Sequence, residues 1–403
     1  MHCNGDVAGA GAHFLNFRHF YKTGIISYGL MEETIIIGGG IAGLACAKEL
    51  FKNNASFKLI SVNIGGRITT SEDGKINYSA YIVSRYYKNF KKFVRLTRPI
   101  RIIRDCKFHY KKESYDVNYF DLFSHPLTIF KTIIIFLKFR REYRLFQKDC
   151  CVMSQKEAIK RRKVMFSLLK MNSKQFLKKN KLESIHQKYV SQYGNSIGFK
   201  NHHNSKLLGG FIGADLLLSG PKEFIFQKEK LITPFEKNIV NDKIIEIKRV
   251  KGGYKLKSSK KIYSCKNLVV ATPIWVSNKL LKLNLNLKTI NVDMIHLNGK
   301  IKKGFEKRFN LFNPKEIVSV IAKQADGSFL VFYEGRLKLG LYFNDYKIIK
   351  KISFKPALTT AQKFIESKLA KNLFLIGDYN ISSVEDSYLT GVYAANQIIK
   401  EIN

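Results

Sequence analysis

The run Glu33-Thr-Ile-Ile-Ile-Gly-Gly-Gly-Ile-Ala-Gly-Leu-Ala-Cys-Ala-Lys-Glu-Leu50 constrains this chain more than any other stretch. The β-branched residues Thr34 to Ile37 read as a buried strand of a parallel sheet. Three glycines interrupt the strand, and an Ala- and Leu-rich segment of helical character follows. Gly38, Gly40 and Gly43 fall on a G-x-G-x-x-G spacing, and each has a physical task. Gly38 allows the tight turn, Gly40 lets a pyrophosphate approach the backbone, and Gly43 lets the helix pack close to the strand. Ile41 and Ala42 then open a helix whose unpaired N–H groups and positive dipole end suit phosphate. By itself the stretch also admits a reading as a glycine-rich turn of any α/β sheet.

Phe57 to Val62 supplies a second strand at the distance that completes a βαβ start. A dinucleotide site usually has an acid at the end of this strand to hold the ribose hydroxyls. Here the end is Ser61-Val62-Asn63, and Asn63 can offer only an uncharged amide. Ile64-Gly65-Gly66-Arg67-Ile68 follows at once. Two glycines permit close backbone approach, and a guanidinium matches a phosphate bidentately.

With the Gly65-Gly66-Arg67 turn behind the second strand, the sequence resembles the FAD-dependent amine oxidase superfamily. That group also holds protoporphyrinogen oxidase and phytoene-desaturase-like enzymes. The resemblance implies that Arg67 and the turn backbone lie against the FAD pyrophosphate. Asn77-Tyr78-Ser79-Ala80-Tyr81 occupies the place of a small-residue segment beside the flavin, with Ser79 where Gly is common. The strand around Asn238–Ile247 carries Val240, which by the same resemblance contacts adenine through its backbone. Val269-Val270-Ala271-Thr272-Pro273 resembles the strand end that closes near the cofactor, placing Ala271 and Thr272 there. Asn372-Leu-Phe-Leu-Ile-Gly377-Asp378, then Ser383 to Gly391, resembles the C-terminal FAD motif. It implies that Gly377 admits the ribityl chain and Asp378 accepts from its hydroxyls. The N–H groups near Asp386 and Ser387 would then face the flavin N1–C2=O edge, where a helix N-terminus stabilises negative charge. Some amine oxidases keep a Lys bridged by water to flavin N5; only His296 and Lys300 stand roughly there, with a poor local match. Tyr379 is a candidate for an aromatic cage.

The 70 basic and 31 acidic residues give a net charge of +39. Such a field draws a protein to nucleic acid, anionic membrane or an acidic partner. The lysines spread along the whole chain, and no nucleic-acid-binding signature accompanies them, so no nucleic acid partner is expected. A compositional bias towards Lys, Asn, Ile and Phe, with the lysines scattered over a solvated surface, is the favoured explanation of the charge. Between Tyr86 and Gly220, Lys, Arg and aromatic residues alternate with apolar ones at mixed helical spacing, and Asn172 or Ser173 starts a helix. Basic faces such as Lys160-Arg161-Arg162-Lys163, with Leu127–Leu137 as an interfacial patch, suit an anionic membrane; a solvated helix face reads as well.

The six cysteines include the vicinal pair Cys150–Cys151 and form no C-x-x-C or metal spacing, and His202–His203 has no third ligand nearby. Reduced thiols, no structural disulfide and no metal are expected. No segment has the apolar length of a bilayer span. A cytoplasmic protein is expected, with peripheral membrane contact as the alternative. Met31 stands just before the first strand, so residues 1–30 are expected to be a non-native or disordered extension.

Together these readings imply an α/β fold: a Rossmann-like FAD-binding domain with a discontinuous α+β substrate domain. Residues 31–75, 231–290 and 369–403 would build the FAD domain, and 76–230 and 291–368 the substrate domain. The resemblance implies non-covalent FAD, a small-molecule substrate, and oxygen or another electron acceptor. Hydride would pass from a C–H bond of an amine or an apolar, isoprenoid-like substrate to flavin N5, with no catalytic side chain assigned. The competing expectation is a non-catalytic flavin- or anion-binding protein that keeps the fold.

Overall fold

The structure, a computed structural model, describes residues 31–111, 113–118, 120–121, 126–197, 207–361 and 364–402. The expectations for residues 1–30 and for His202–His203 lie outside the described residues.

Glu32–Gly39 (β1) and Lys58–Ile64 (β2) flank helix α1, Ile41–Lys52. Four short strands follow: Ile82–Val83 (β3), Val94–Pro99 (β4), Cys106–Tyr110 (β5) and Glu113–Tyr115 (β6). A block of helices begins with the long helix Pro126–Asp149 and includes Lys163–Lys170, Ser173–Lys179 and Leu207–Leu218. The chain returns to strands at Lys222–Phe226 (β7), Ile239–Val240 (β8), Ile244–Val250 (β9), Gly253–Ser258 (β10) and Ile262–Val270 (β11). Leu287–Ile301 (β12), Phe309–Phe312 (β13), Val318–Lys323 (β14), Phe329–Tyr333 (β15) and Phe343–Ala361 (β16) come next. Lys368–Ala370 (β17), Leu373–Leu375 (β18) and the last helix, Val384–Ile402, complete the described chain.

One sheet runs β17-β18-β11-β1-β2-β8, parallel except at β17, and the β9–β10 hairpin pairs with the first half of β11. Its centre is β1, where Ile35 and Ile36 are fully buried and Ile37 nearly so. A β-branched run covered on both faces is the pattern a parallel sheet requires. The pleat sends alternate residues to opposite sides. Ile36 joins Leu44, Leu50 and Ile398 beneath α1 and the last helix. Ile35 and Ile37 pack instead with Tyr254, Leu256 and Ile274 under the hairpin and helix Ile274–Leu281.

A second sheet runs β16-β12-β15-β14-β13-β5-β6, antiparallel except where β13 meets β5. A third, small sheet joins β3, β7 and β4. The helix after Asn172 forms as its cap predicts: the Asn172 side chain accepts from the Gln175 N–H at 3.2 Å. Leu127–Leu137, read as a short patch, is instead the first half of a 24-residue helix.

The two helices on the β1 face touch backbone to backbone. A Cβ on Gly391 would lie 2.1 Å from the Ala42 carbonyl oxygen. Replacing Gly391→Ala should therefore destabilise the protein by about 1–3 kcal/mol through overpacking. Gly210→Ala, in a helix where a Cβ meets nothing within 4 Å, should be neutral or stabilising by up to about 1 kcal/mol. Urea unfolding midpoints of the two variants check the contrast.

Candidate cofactor site

The turn after β1 is dictated by what a side chain would strike. Gly38 has φ +111°, and a Cβ there would sit 2.7 Å from the Ala271 carbonyl oxygen. Ala271 is held in that place because its N–H donates to the Ile37 carbonyl at 2.8 Å. A Cβ on Gly43 would approach the Gly38 carbonyl oxygen to 2.0 Å, so α1 can lie this close to its strand only with glycine there. Gly40 differs: it is the N-cap of α1, and a Cβ on it would meet nothing within 4 Å. No side chain caps this end and no acid stands in the first turn, which holds Ile41, Ala42 and Gly43. The helix therefore presents an uncapped, positively polarised terminus beneath open space, an arrangement suited to a phosphate.

The second glycine turn abuts the first. The Gly65 N–H donates to the Gly39 carbonyl at 2.8 Å, and Gly65 and Gly66 have φ of +100° and +62°. A Cβ on Gly66 would come within 2.9 Å of the Gly40 Cα. At the end of β2, Asn63 is exposed, and its N–H and carbonyl both engage the Ser61 hydroxyl. Val240 pairs with Ile60 across β2 and β8, and the Thr272 hydroxyl lies 2.8 Å from that of Ser277.

Arg67 and Asp378 were expected to meet separate parts of a dinucleotide. In the structure they meet each other: Arg67 Nη2 donates to Asp378 Oδ2 in a partly buried ion pair. Arg67 Nη1 also donates to the Ala357 carbonyl at 2.8 Å, and the Ser79 hydroxyl donates to the Arg67 carbonyl. Gly377, with φ +145°, donates its N–H to Thr390 Oγ1 at 3.0 Å, which ties the end of the strand to the last helix.

The head of the last helix is bonded inside the protein. The Asp386 N–H donates to the Ser383 hydroxyl at 3.3 Å, and the Ser387 N–H to the Ser383 carbonyl at 3.0 Å. Both donors expected at a flavin edge thus have partners within the chain. Glu385, 2% exposed, accepts from the N–H groups of Lys88, Asn89 and Phe90. Asp386 is fully buried and accepts from the Tyr143 hydroxyl at 2.5 Å, while its Oδ1 has no hydrogen-bond partner. Burial lifts its carboxyl from the ordinary 3.8 to about 6, against the opposing hydrogen bonds from Tyr143 and Ser383. Neither Glu385 nor Tyr143 stood out in the sequence; two acids in the first helical turn are usual enough to pass as dipole partners.

The remaining candidates are placed elsewhere. His296 is buried between the Tyr78 hydroxyl (3.3 Å) and the Ser328 hydroxyl (2.9 Å), and burial holds its pKa down. Lys300 is exposed on β12. Tyr379 packs in the core under the hairpin, its hydroxyl donating to the Leu375 carbonyl and lying 3.1 Å from that of Ser367. Its ring is thus part of the sheet's support rather than a free cage wall. The five described cysteines are free, and burial pushes the Cys106 and Cys265 thiols up to about 12, away from reactive thiolate.

Asp386 yields a pH prediction. Its folded pKa lies above the ordinary value, so the folded state holds the extra proton between pH 3.8 and about 6. Its contribution favours folding at the acid end of that window and is lost as pH rises through about 6. Asp386→Asn should thus gain up to roughly 3 kcal/mol at pH 8 and little at pH 4. Denaturant unfolding of both proteins across that range tests it.

A model of the NAD(P)-binding Rossmann-like domain matches residues 36–96. No curated protein matches the sequence. Solved structures do match. The cyclohexylamine oxidase of Brevibacterium oxydans superposes with a TM-score of 0.63 at 13% identity, over 92% of this chain and 99% of that one. A putrescine oxidase with redesigned cofactor binding gives 0.62 at 12% identity, over 92% and 99%. A CLA-producing fatty acid isomerase from P. acnes gives 0.65 at 13% identity, over 90% and 97%. At these identities the likeness is one of fold: the chain shares the mixed α/β architecture of these structures, with a Rossmann-like domain at residues 36–96.

Proposed function

We propose that this chain is an FAD-dependent oxidoreductase acting on a small-molecule amine or apolar substrate, with oxygen or another acceptor taking the electrons. The observation that carries the reading is the open space over Gly40, walled by the Gly65–Gly66 turn at an uncapped helix terminus. Gly38, Gly40, Ile41, Ala42, Gly43, Gly65 and Gly66 would hold the pyrophosphate through backbone groups. Asn63 and Val240 would face the adenosine half, and Ala271, Thr272 and Gly377 the flavin half. Arg67 and Asp378, now paired, would offer a guanidinium to phosphate and a carboxylate to ribityl hydroxyls. FAD, held non-covalently, supplies the hydride acceptor. Segments 31–75, 231–290 and 369–403 would form the cofactor domain in this reading, and 76–230 and 291–368 the substrate domain. The substrate class is supported only by analogy of fold with a cyclohexylamine oxidase and a fatty acid isomerase.

A second reading is a flavin- or anion-binding protein without turnover. Its support is the end of β2, where an exposed Asn63 stands in place of a carboxylate, and the mutual pairing of Arg67 and Asp378.

The purified protein should show a flavin visible spectrum and release FAD, identified by mass, on denaturation. Asp378→Ala should weaken FAD binding about 10- to 100-fold, the loss of one charge-assisted hydrogen bond. A colourless protein that FAD cannot reconstitute would sink the oxidoreductase reading. Bound FAD that no amine or isoprenoid substrate bleaches anaerobically would favour the second.

A further inference from the structure

The long helix Pro126–Asp149 presents an outer face with two kinds of side chain. Its first half exposes Leu127 (77%), Phe130 (63%), Ile133, Ile134 and Leu137 (56%). Residues 127, 130, 134 and 137 recur at helical spacing, so they form one stripe, of a kind that soluble surfaces seldom leave uncovered. The second half exposes Arg141, Arg144 and Lys148. Together with Lys88 and Arg140 these line a cavity of about 410 Å³.

The acids of this helix are turned inward. Glu142 Oε2 accepts from the Val164 and Met165 N–H groups at 2.8 and 3.1 Å, and Asp149 pairs with Arg162. Arg162 is thereby withdrawn from the basic run expected at residues 160–163. Arg140 Nε pairs with Asp215 at 2.7 Å, while its Nη2 is buried without a hydrogen-bond partner. Among the described residues, Lys88, Arg141 and Lys148 have no carboxylate partner. The result is a concave cluster of cations in which, among the described residues, Arg140 alone has a carboxylate partner.

Apolar stripe and basic cavity succeed each other along one helix about 36 Å long. No described helix is long and apolar enough to cross a membrane. We propose that Pro126–Asp149 is a docking surface for an anionic lipid bilayer. The Leu127–Leu137 stripe enters the acyl boundary, and the cavity at Arg140–Lys148 takes up headgroup phosphates. Charge complementarity selects the occupant: a neutral membrane or an apolar protein groove would leave the clustered cations unmatched. The inference goes beyond the flavin reading and stands or falls separately from it.

Sedimentation of the full chain with vesicles tests it. Binding is expected to vesicles with about a third phosphatidylserine, weakened by salt, and not to phosphatidylcholine alone. Arg141→Gln with Lys148→Gln should weaken binding about thirtyfold, each basic residue near an anionic surface contributing about fivefold. Lys251→Gln with Lys257→Gln removes the same charge from the β9–β10 hairpin and should leave binding within about twofold. Phe130→Asp with Leu137→Asp should abolish the fraction that resists high salt. Unchanged thermal unfolding of each variant confirms its fold. Absence of binding by the parent protein overturns the proposal. So does an equal loss in the hairpin variant, which would mean diffuse adsorption by net charge. Normal binding by the Phe130/Leu137 variant likewise overturns it, as does a change from dimer to monomer in that variant without loss of vesicle binding.

Discussion

The structure depends on α1 being pressed between two backbones. Gly43 brings the helix against the Gly38 carbonyl on one side, and Gly391 brings the last helix against the Ala42 carbonyl on the other. Side chains at either position would force the layers apart by more than a close-packed interior can absorb. That compression fixes where the N-terminus of α1 points. The position of its dipole end is thus a consequence of packing beneath the sheet rather than of any residue at the mouth of the turn.

A second constraint ties the ends of the chain together. Arg67, just after β2, pairs with Asp378, just after β18, and also donates to the carbonyl of Ala357 at the far end of β16. One guanidinium therefore joins three segments far apart in sequence at the edge of the glycine turns. A partly buried pair of this kind contributes to geometry more surely than to stability, because desolvation offsets much of its attraction. In the proposed dinucleotide site both charges would already be in place beside the glycine turns.

The glycine turns were legible in the sequence because each answers a local steric demand: a positive φ at Gly38, a close approach at Gly43. The strand at Thr34–Ile37 was legible for a similar reason, since its pattern follows from both faces being covered, whereas β5 and β6 lie in a stretch whose spacing reads as helical. The pairing of Arg67 with Asp378 was not legible, nor was the capture of Asp386 by Tyr143, because both join residues hundreds of positions apart. Likewise, the spacing of Ser383 to Ser387 suggested free N–H donors at the head of the last helix. It could not show that Ser383 would fold back to occupy them. The extent of the long helix was not legible because its buried residues Phe139, Tyr143 and Phe146 stand among the charged Lys138, Arg140, Arg141, Glu142 and Arg144.

Glu385 gives the last helix a mechanical anchor as well as an electrostatic one. Its carboxylate grips three consecutive N–H groups, those of Lys88, Asn89 and Phe90, at 2.9 to 3.0 Å. The side chain of Lys88 reaches the basic cavity on the outer surface, while its N–H is fastened to the helix that runs beside α1. Surface and interior are thereby geared through a single residue. A movement of the backbone at Lys88 must either carry the start of the last helix with it or break several charge-assisted hydrogen bonds.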